Sequence, residues 1–498
     1  MQVLETHISW VLLTGAFAYK IKKPVNLGFL DFSRLEQRSF YCLQELRLNR
    51  RFAPQLYLDV IPIGGTAEKP HLGATENVFE YALKMVQFQQ EERLDRVLAR
   101  GELSPTLCDS LTEEVAQFHQ SIAVAAGETT FGNYDEVHVP VEESFRQIAS
   151  RIAGTTQTTA LSRWCQETHA SHVGEFTRRK MDGFIRECHG DLHLENMVRL
   201  EGQVVLFDCI EFSERLRWID VASDLAFVLM DLTFRSRPDL ANRLVNTYLE
   251  ITGDYGALAV LRYYLVYRAL VRASVSCIRA FQADVSLADR SAILEGYAQH
   301  LKLAETYTRP FSPFLAITHG VSGSGKTTYT QALVEAVSAI RIRSDIERKR
   351  LIGLPAKARS TANAAAELYS PAMTSKTYEQ LAKLARTVVD AGYPAIVDAT
   401  NLKHFHRRRF RQLADELRIP FVILDFHAPE FLLRERLEQR SRGGEDASEA
   451  TISVLEQQLR AREALTAEEL AVSICIEAES PLPIAGIVER IRRRTAPK

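Results

Sequence analysis

The sequence predicts two domains of different class: an α+β domain with a strand-rich front and a helical rear, then an α/β domain built on a parallel sheet. Three observations carry this. A chain of 498 residues is too long for one hydrophobic core and, at roughly 100 to 200 residues per domain, implies about two to four domains. Thr308-Arg-Pro-Phe-Ser-Pro313 puts two prolines within four residues, which stops a helix and stiffens the connection. Before this break helical spacing dominates; after it apolar runs alternate with helical segments, the pattern of a parallel sheet covered on both faces. The expected domains are 1–307 and 314–498.

Taken in order, Trp10–Leu13, Phe17–Ile21, Leu56–Ile63 and Val78–Ala82 read as short strands around one helix, Leu35–Arg50. From Pro105 to Ala126 and from Val221 to Thr306 apolar residues recur three or four apart, the helical period. Beyond Pro313 the strand-like runs are Phe314–Thr318, Ala339–Ile342, Ala395–Val397, Phe421–Leu424 and Val472–Ile476, with helices over Thr328–Val337 and Ser375–Ala391.

Composition excludes several classes. Hydrophobic residues at 46% and charged residues at 25% are ordinary globular values, which argues against disorder and fibres. A net charge of -2 exerts no general pull on nucleic acid or anionic lipid. The seven cysteines are scattered without a C-x-x-C pair, as in reduced cytoplasmic proteins and unlike disulfide frameworks or zinc sites. Ile8–Ala18 imitates a signal-peptide core, but Glu5 precedes it and Lys20, Lys22 and Lys23 follow it, the reverse of the targeting charge order. It reads as a strand pair. No uncharged apolar run reaches the length of about 18 residues that a membrane helix needs.

Gly320-Val-Ser-Gly-Ser-Gly-Lys-Thr327 lies between an expected strand and an expected helix, the setting in which G-x-x-x-x-G-K-[ST] cradles phosphates. Gly320, Ser322, Gly323, Ser324, Gly325 and Thr328 would shape the loop, Lys326 would reach the β and γ phosphates of ATP, and Thr327 would ligate Mg²⁺. Ligands of open parallel sheets sit beyond the strand carboxyl ends. There Asp345 would take the proton of an acceptor hydroxyl, Arg348 would bind an acceptor phosphate or polar group, and Asp398 would hold Mg²⁺; a helix N-cap is the competing role for Asp345. Arg434, Arg436, Arg440 and Arg442 precede Gly443-Gly444 and the capping-box string Asp446–Glu449, together a lid or a solvated helix face. With Ser344-Asp-Ile-Glu-Arg348 in place, residues from Phe314 onward resemble the small P-loop kinases of the polynucleotide kinase, gluconate kinase and zeta-toxin type. The resemblance implies a P-loop NTPase fold acting on a hydroxyl, with Arg440 catalytic and Arg436 and Arg442 on the substrate.

In the first domain His189-Gly-Asp-Leu-His-Leu-Glu-Asn196 is followed by the strand pair Val198–Leu200 and Val204–Phe207, then Asp208-Cys-Ile-Glu211. A catalytic Asp191, with Asn196 and Asp208 for Mg²⁺, is the set used in kinase phosphoryl transfer. The loop, with Asp220-Val-Ala-Ser-Asp224-Leu-Ala, resembles aminoglycoside phosphotransferases and choline-kinase-like enzymes, which implies a bilobal protein-kinase-like fold. Lys20 then falls on the phosphate-binding strand, with Glu45 as ion-pair partner, Lys22 as fallback, and Glu80–Phe88 as the adenine hinge. No G-x-G-x-x-G precedes Lys20. The whole chain resembles bacterial proteins that join such a domain to a P-loop kinase-like ATPase domain.

Three functions remain open at this level: a phosphotransferase with two ATP sites and an unidentified hydroxyl acceptor at each, a regulatory protein whose first domain is a pseudokinase, and an RNA-end-processing factor. Alternating His189, Asp191 and His193 would also suit a metal. The basic clusters His404–Arg411 and Arg490–Arg494 weakly favour RNA or a nucleotide at the second domain, although such clusters are more often solvated helix faces. A cytoplasmic protein without membrane attachment is expected.

Overall fold

The computed structural model describes residues 1–6, 8–26, 30–66, 68–282, 285–310, 312–356, 358, 368, 370–443, 451–478 and 483–495, with side chains 440–443 outside the description. Packing divides the chain into Met1–Arg235 with Tyr263–Thr306, and Ser236–Arg262 with Tyr307–Lys498.

In the first unit six antiparallel strands form one sheet: β1 (Gln2–Glu5), β2 (Ser9–Leu13), β3 (Phe17–Lys22), β4 (Tyr57–Gly65), β5 (Pro70–Leu72) and β6 (Val78–Val86), in spatial order β1-β2-β3-β6-β4-β5. The run that imitates a signal peptide is the β2–β3 pair. Its register sets Ser9 opposite Lys22 and Val11 opposite Lys20, so by alternation these four residues share one face. Helix Leu35–Asn49 packs on the sheet. Leu46 joins Leu56, Tyr57 and Leu83 in a buried cluster that also takes in Val198 and Val205. Those two belong to β8 (Met197–Leu200) and β9 (Gln203–Leu206), an antiparallel pair, while β7 (Ile185–Glu187) pairs with β10 (Trp218–Asp220). Helix Val221–Phe234 is buried along nearly its whole length, as its lack of a polar stripe requires. Helix Pro105–Ser121 starts where Ser104 accepts from the Leu107 N–H and proline occupies the first turn, a favourable cap.

The second unit holds β11 (Leu315–His319), β12 (Ile340–Arg343), β13 (Ala395–Asp398), β14 (Phe421–His427) and β15 (Ser473–Glu477), parallel and in order β12-β13-β11-β14-β15. Each coincides with an expected run to within a few residues. Leu333 of helix Lys326–Val337, Ile396, Val422, Leu424 and Ile487 share one buried core, where a Leu-to-Ala truncation costs about 2 to 5 kcal/mol. Helix Pro238–Thr252 groups with this unit. Its Asn246 accepts from the Arg341 N–H (2.7 Å) and donates to Ala339 O (3.0 Å), pairing backbone at the outer edge of β12 that would otherwise be unpaired.

Among the described residues no helix is long and apolar enough to cross a membrane.

Candidate active sites

A cavity of about 570 Å³ in the first unit has an apolar end formed by Leu13, Ala18, Leu56 and Met85, with the Val86–Phe88 chain beside it, and a polar end at Lys20, Asn196 and Asp208. Lys20 Nζ donates to Glu45 Oε1 (2.8 Å) and to Asp208 Oδ1 (2.5 Å). Lys22 Nζ donates to Glu45 Oε2 (2.6 Å) and to Glu211. Glu45 thus bridges two lysines. Burial opposes its charge, but the two ammonium groups outweigh that and hold its carboxyl down to about 2. Burial likewise pulls Lys20 downward, and Asp208 and Glu45 overcome it, leaving the ammonium well above its ordinary range. Glu211, at the far end of the chain of charges, is pushed up by burial despite Lys22.

The loop between β7 and β8 presents Asp191. Its Oδ2 accepts from Asn196 Nδ2 (2.9 Å) and lies 3.2 Å from His193 Nε2. Burial disfavours its charge, yet His193 and Arg272 lower its pKa below the usual carboxylate range. The Asn196 amide nitrogen is engaged by Asp191, so its oxygen is the atom free of these bonds. It lines the same cavity wall as Asp208, and an amide oxygen with a carboxylate is a donor set that suits Mg²⁺. Asp208 adopts φ 63°, a sparsely populated conformation for a non-glycine residue. Asp224 fixes the loop by accepting from the His189 and Gly190 N–H groups, both at 2.9 Å.

His189 is not drawn toward a shared metal site with Asp191 and His193. Its Nε2 meets Phe207 O at 2.8 Å and its Nδ1 accepts from the Asp191 N–H. The one close trio of metal-ligating types among the described residues is His119, Cys188 and Asp224. Asp224 is occupied by the loop, and burial raises the Cys188 thiol well above its ordinary pKa.

In the second unit a cavity of about 290 Å³ is lined by Ser322, Gly323, Gly325, Lys326, Thr327 and Thr328 on one side and by Arg343, Asp345, Arg348, Asp398 and Lys403 on the other. Gly323 has φ 82°, and a Cβ there would come within 2.9 Å of Leu433 O, so the loop admits no side chain at that point. Gly320 donates its N–H to Thr400 O, and Ser324 Oγ donates to Val321 O; both brace the loop from outside the cavity. Lys326 Nζ folds back onto Val321 O (2.7 Å). The Ser322 N–H, one of the loop's donors, is taken by Gln458 Oε1 at 2.7 Å. Asp398 Oδ2 receives the Thr330 hydroxyl at 3.3 Å.

Of the segment expected to form a lid, two helices are described. Leu433 and Leu437 of helix Glu430–Gly443 pack with Leu455 of helix Ile452–Ala461. Arg436 donates to Gly323 O (3.3 Å) and Ala478 O (2.7 Å), so it grips backbone and does not line the cavity. Arg434 pairs with Glu430 and Glu456. The Arg440 and Arg442 side chains, Gly444 and Asp446–Glu449 lie outside the described residues. The basic stretch is not a uniformly exposed face: Arg407 is 1% exposed, paired with Glu469 and hydrogen-bonded to Asn401 O and Leu402 O.

Residues 36–261 match the Phosphotransferase enzyme family and residues 315–465 match the AAA domain family. The chain joins a phosphotransferase-like domain to a P-loop kinase-like domain. An uncharacterized protein of Mycobacterium tuberculosis and another of Mycobacterium bovis are each 29% identical over 455 residues, covering 90% of this chain and 88% of theirs. Among solved structures, a gluconokinase from Sinorhizobium meliloti is 25% identical over 36% of this chain and 90% of its own, with a TM-score of 0.24. An amicoumacin kinase in complex with AMP-PNP, Ca²⁺ and Ami is 12% identical over 61% of this chain and 88% of its own, with a TM-score of 0.40.

Within the phosphotransferase-like domain the second lysine–glutamate pair escaped sequence reasoning. Lys22 shares a strand face with Lys20, but Glu211 comes from beyond Asp208 and only the fold brings it near. In the P-loop domain Gln458 and Arg343 were missed, because neither belongs to a motif and each reaches the cavity from a separate element.

Proposed function

We propose that the chain is an ATP-dependent phosphotransferase with two nucleotide sites, one in each domain, each passing the γ-phosphoryl group to an acceptor hydroxyl with Mg²⁺ present. The observation that carries the first site is the convergence of Lys20, Asn196 and Asp208 on one cavity, with Glu45 behind Lys20. Lys20 binds phosphate oxygens, Glu45 orients it, Asn196 and Asp208 hold the metal, and Asp191 takes the acceptor proton. As the acceptor oxygen bonds to γ-phosphorus, the bond to the β–γ bridging oxygen breaks and ADP leaves. In the second site the loop Gly320–Thr328 with Lys326 binds the phosphates, Thr327 and Asp398 hold the metal, and Asp345 is the base. Arg348, Arg440 and Arg442 are assigned to the acceptor and the migrating group, and Arg436, which the sequence also offered for that role, braces the loop backbone instead. Lys326 Nζ lies against the loop it serves, on Val321 O, and lines the cavity.

For the second acceptor we favour a small hydroxyl compound bearing a carboxylate or phosphate. Support comes from Arg348, which lines the same small cavity as Asp345 and whose guanidinium suits bidentate anion binding; Arg343 and Lys403 line it too, paired with Glu250 and Glu463. The RNA reading needs an exposed basic track, and Arg407 in that track is consumed internally.

The test is transfer of label from γ-labelled ATP into separated metabolite and RNA fractions by the wild type, Asp191→Asn and Lys326→Ala. The proposal expects a different labelled product lost in each variant. Binding of ATP with no product in any fraction would sink the catalytic reading and leave the regulatory one.

A further inference from the structure

In the first unit the groups around Asp191 meet whatever brings a hydroxyl to it, and 36% of the Asp191 side chain is exposed. His193 Nε2 lies 3.2 Å from its Oδ2, and Arg272, from helix Leu258–Ala280, sets its guanidinium 3.5 Å from the same imidazole nitrogen. Arg272 keeps 27% of its side chain exposed. Its one carboxylate contact among the described residues is Glu195 at 3.7 Å, too long for a hydrogen bond. Val275, one helical turn further on, lines the 570 Å³ cavity, so Arg272 stands on the side of its helix that borders the cavity.

The carboxylates of the cavity wall are already engaged. Glu195 is bound by Arg235 at 3.0 Å and approached by Arg93 at 4.0 Å. Burial opposes its charge, and Arg272, His193, Arg235 and Arg93 together outweigh that. Asp208 accepts from Lys20. Arg151, just past helix Tyr134–Ala149, is in the opposite condition. It is exposed and lines the cavity, yet its hydrogen bonds go to uncharged oxygens of Gln147 and Ser150. Two guanidinium groups therefore stand here without a close carboxylate, while both described carboxylates of the wall have a cation.

We propose that the acceptor of the first site is a hydroxyl compound carrying a carboxylate or phosphate, which Arg272 and Arg151 bind while Asp191 takes the hydroxyl proton. The inference rests on the reading of this cavity as a phosphotransferase site. A guanidinium offers a planar fork of donors that matches either anion. An acceptor bearing ammonium groups would instead face two cations and find only carboxylates that are already paired.

The experiment uses the full chain carrying Lys326→Ala, so that nucleotide binding at the second site is suppressed. A metabolite extract is split on an anion exchanger at neutral pH, and each fraction is incubated with γ-labelled ATP and Mg²⁺. Labelled product is expected from the retained, anionic fraction. Arg272→Gln and Arg151→Gln should each raise the amount of that fraction needed for half-saturation about tenfold or more, with calorimetric ATP affinity and unfolding temperature preserved. Arg272→Lys, which keeps the charge and loses the fork, should recover part of the loss. Product from the flow-through alone, half-saturation that neither glutamine variant changes, or a loss confined to ATP affinity would overturn the acceptor class and leave the phosphotransferase standing. No product from either fraction, in a parent that binds ATP, would remove the phosphotransferase reading of the site and the acceptor class with it.

Discussion

Asp191 is held by the Asn196 amide and by His193, so an amide in its place keeps the shape of the loop while abolishing the base. Asp191→Asn should therefore retain ATP affinity and lower transfer by the first domain at least about a hundredfold, measured as single-turnover rates beside calorimetric binding. At the other site Gln458 saturates the Ser322 N–H and competes with phosphate for it. Gln458→Ala should tighten ATP binding severalfold, up to roughly tenfold for one neutral hydrogen bond; unchanged or weaker binding would show that the side chain assists the nucleotide. Residues fixed by local motif spacing, such as Lys326 and Thr327 or Asp191 and Asn196, are legible in the sequence alone. Lys22 with Glu211, and Gln458, are not, because their significance depends on which remote group the fold sets beside them.

At the scale of elements the strands are the most legible feature. Short extended runs locate β2, β3, β4 and β6, and short apolar runs locate all five strands of the parallel sheet. Residues 127–186 carry no comparably strong pattern and yield no expected element, although helices Tyr134–Ala149 and Thr156–Ser171 lie there. Helix Pro238–Thr252 is visible in the sequence as a helix but not as part of the second unit. The reason is physical: its attachment runs through Asn246 and Glu250, polar residues that hydrophobic periodicity treats as solvent-facing. Asn246→Ala would strand the buried Arg341 N–H and Ala339 carbonyl, at about 1 to 3 kcal/mol for each unsatisfied group. The thermal transition of the second unit should fall accordingly. A fragment beginning at Ser236 should also unfold at a higher temperature than one beginning at Pro313, whereas equal stabilities would show that the helix is dispensable.

For the whole molecule, stability should decline as pH falls from about 6.5 toward 4. Burial pushes His300 and His406 down to about 4, below the value near 6.5 of an unfolded chain. In that window the unfolded state binds the extra protons, so acid favours unfolding, with a slope of up to about 1.4 kcal/mol per pH unit for each histidine. Glu45, held at about 2 by its two lysines, adds a loss in the same direction between about 4.5 and 2. His300→Gln and His406→Gln should each flatten the upper part of the profile in calorimetric unfolding scans. The central claim is that two competent nucleotide sites reside in one chain. Isothermal titration of the full chain with Mg²⁺ and a non-hydrolysable ATP analogue tests it most directly: two equivalents should bind the wild type, one should remain in Lys326→Ala and one in Asp208→Ala. A single equivalent in the wild type, abolished by either substitution alone, would contradict it.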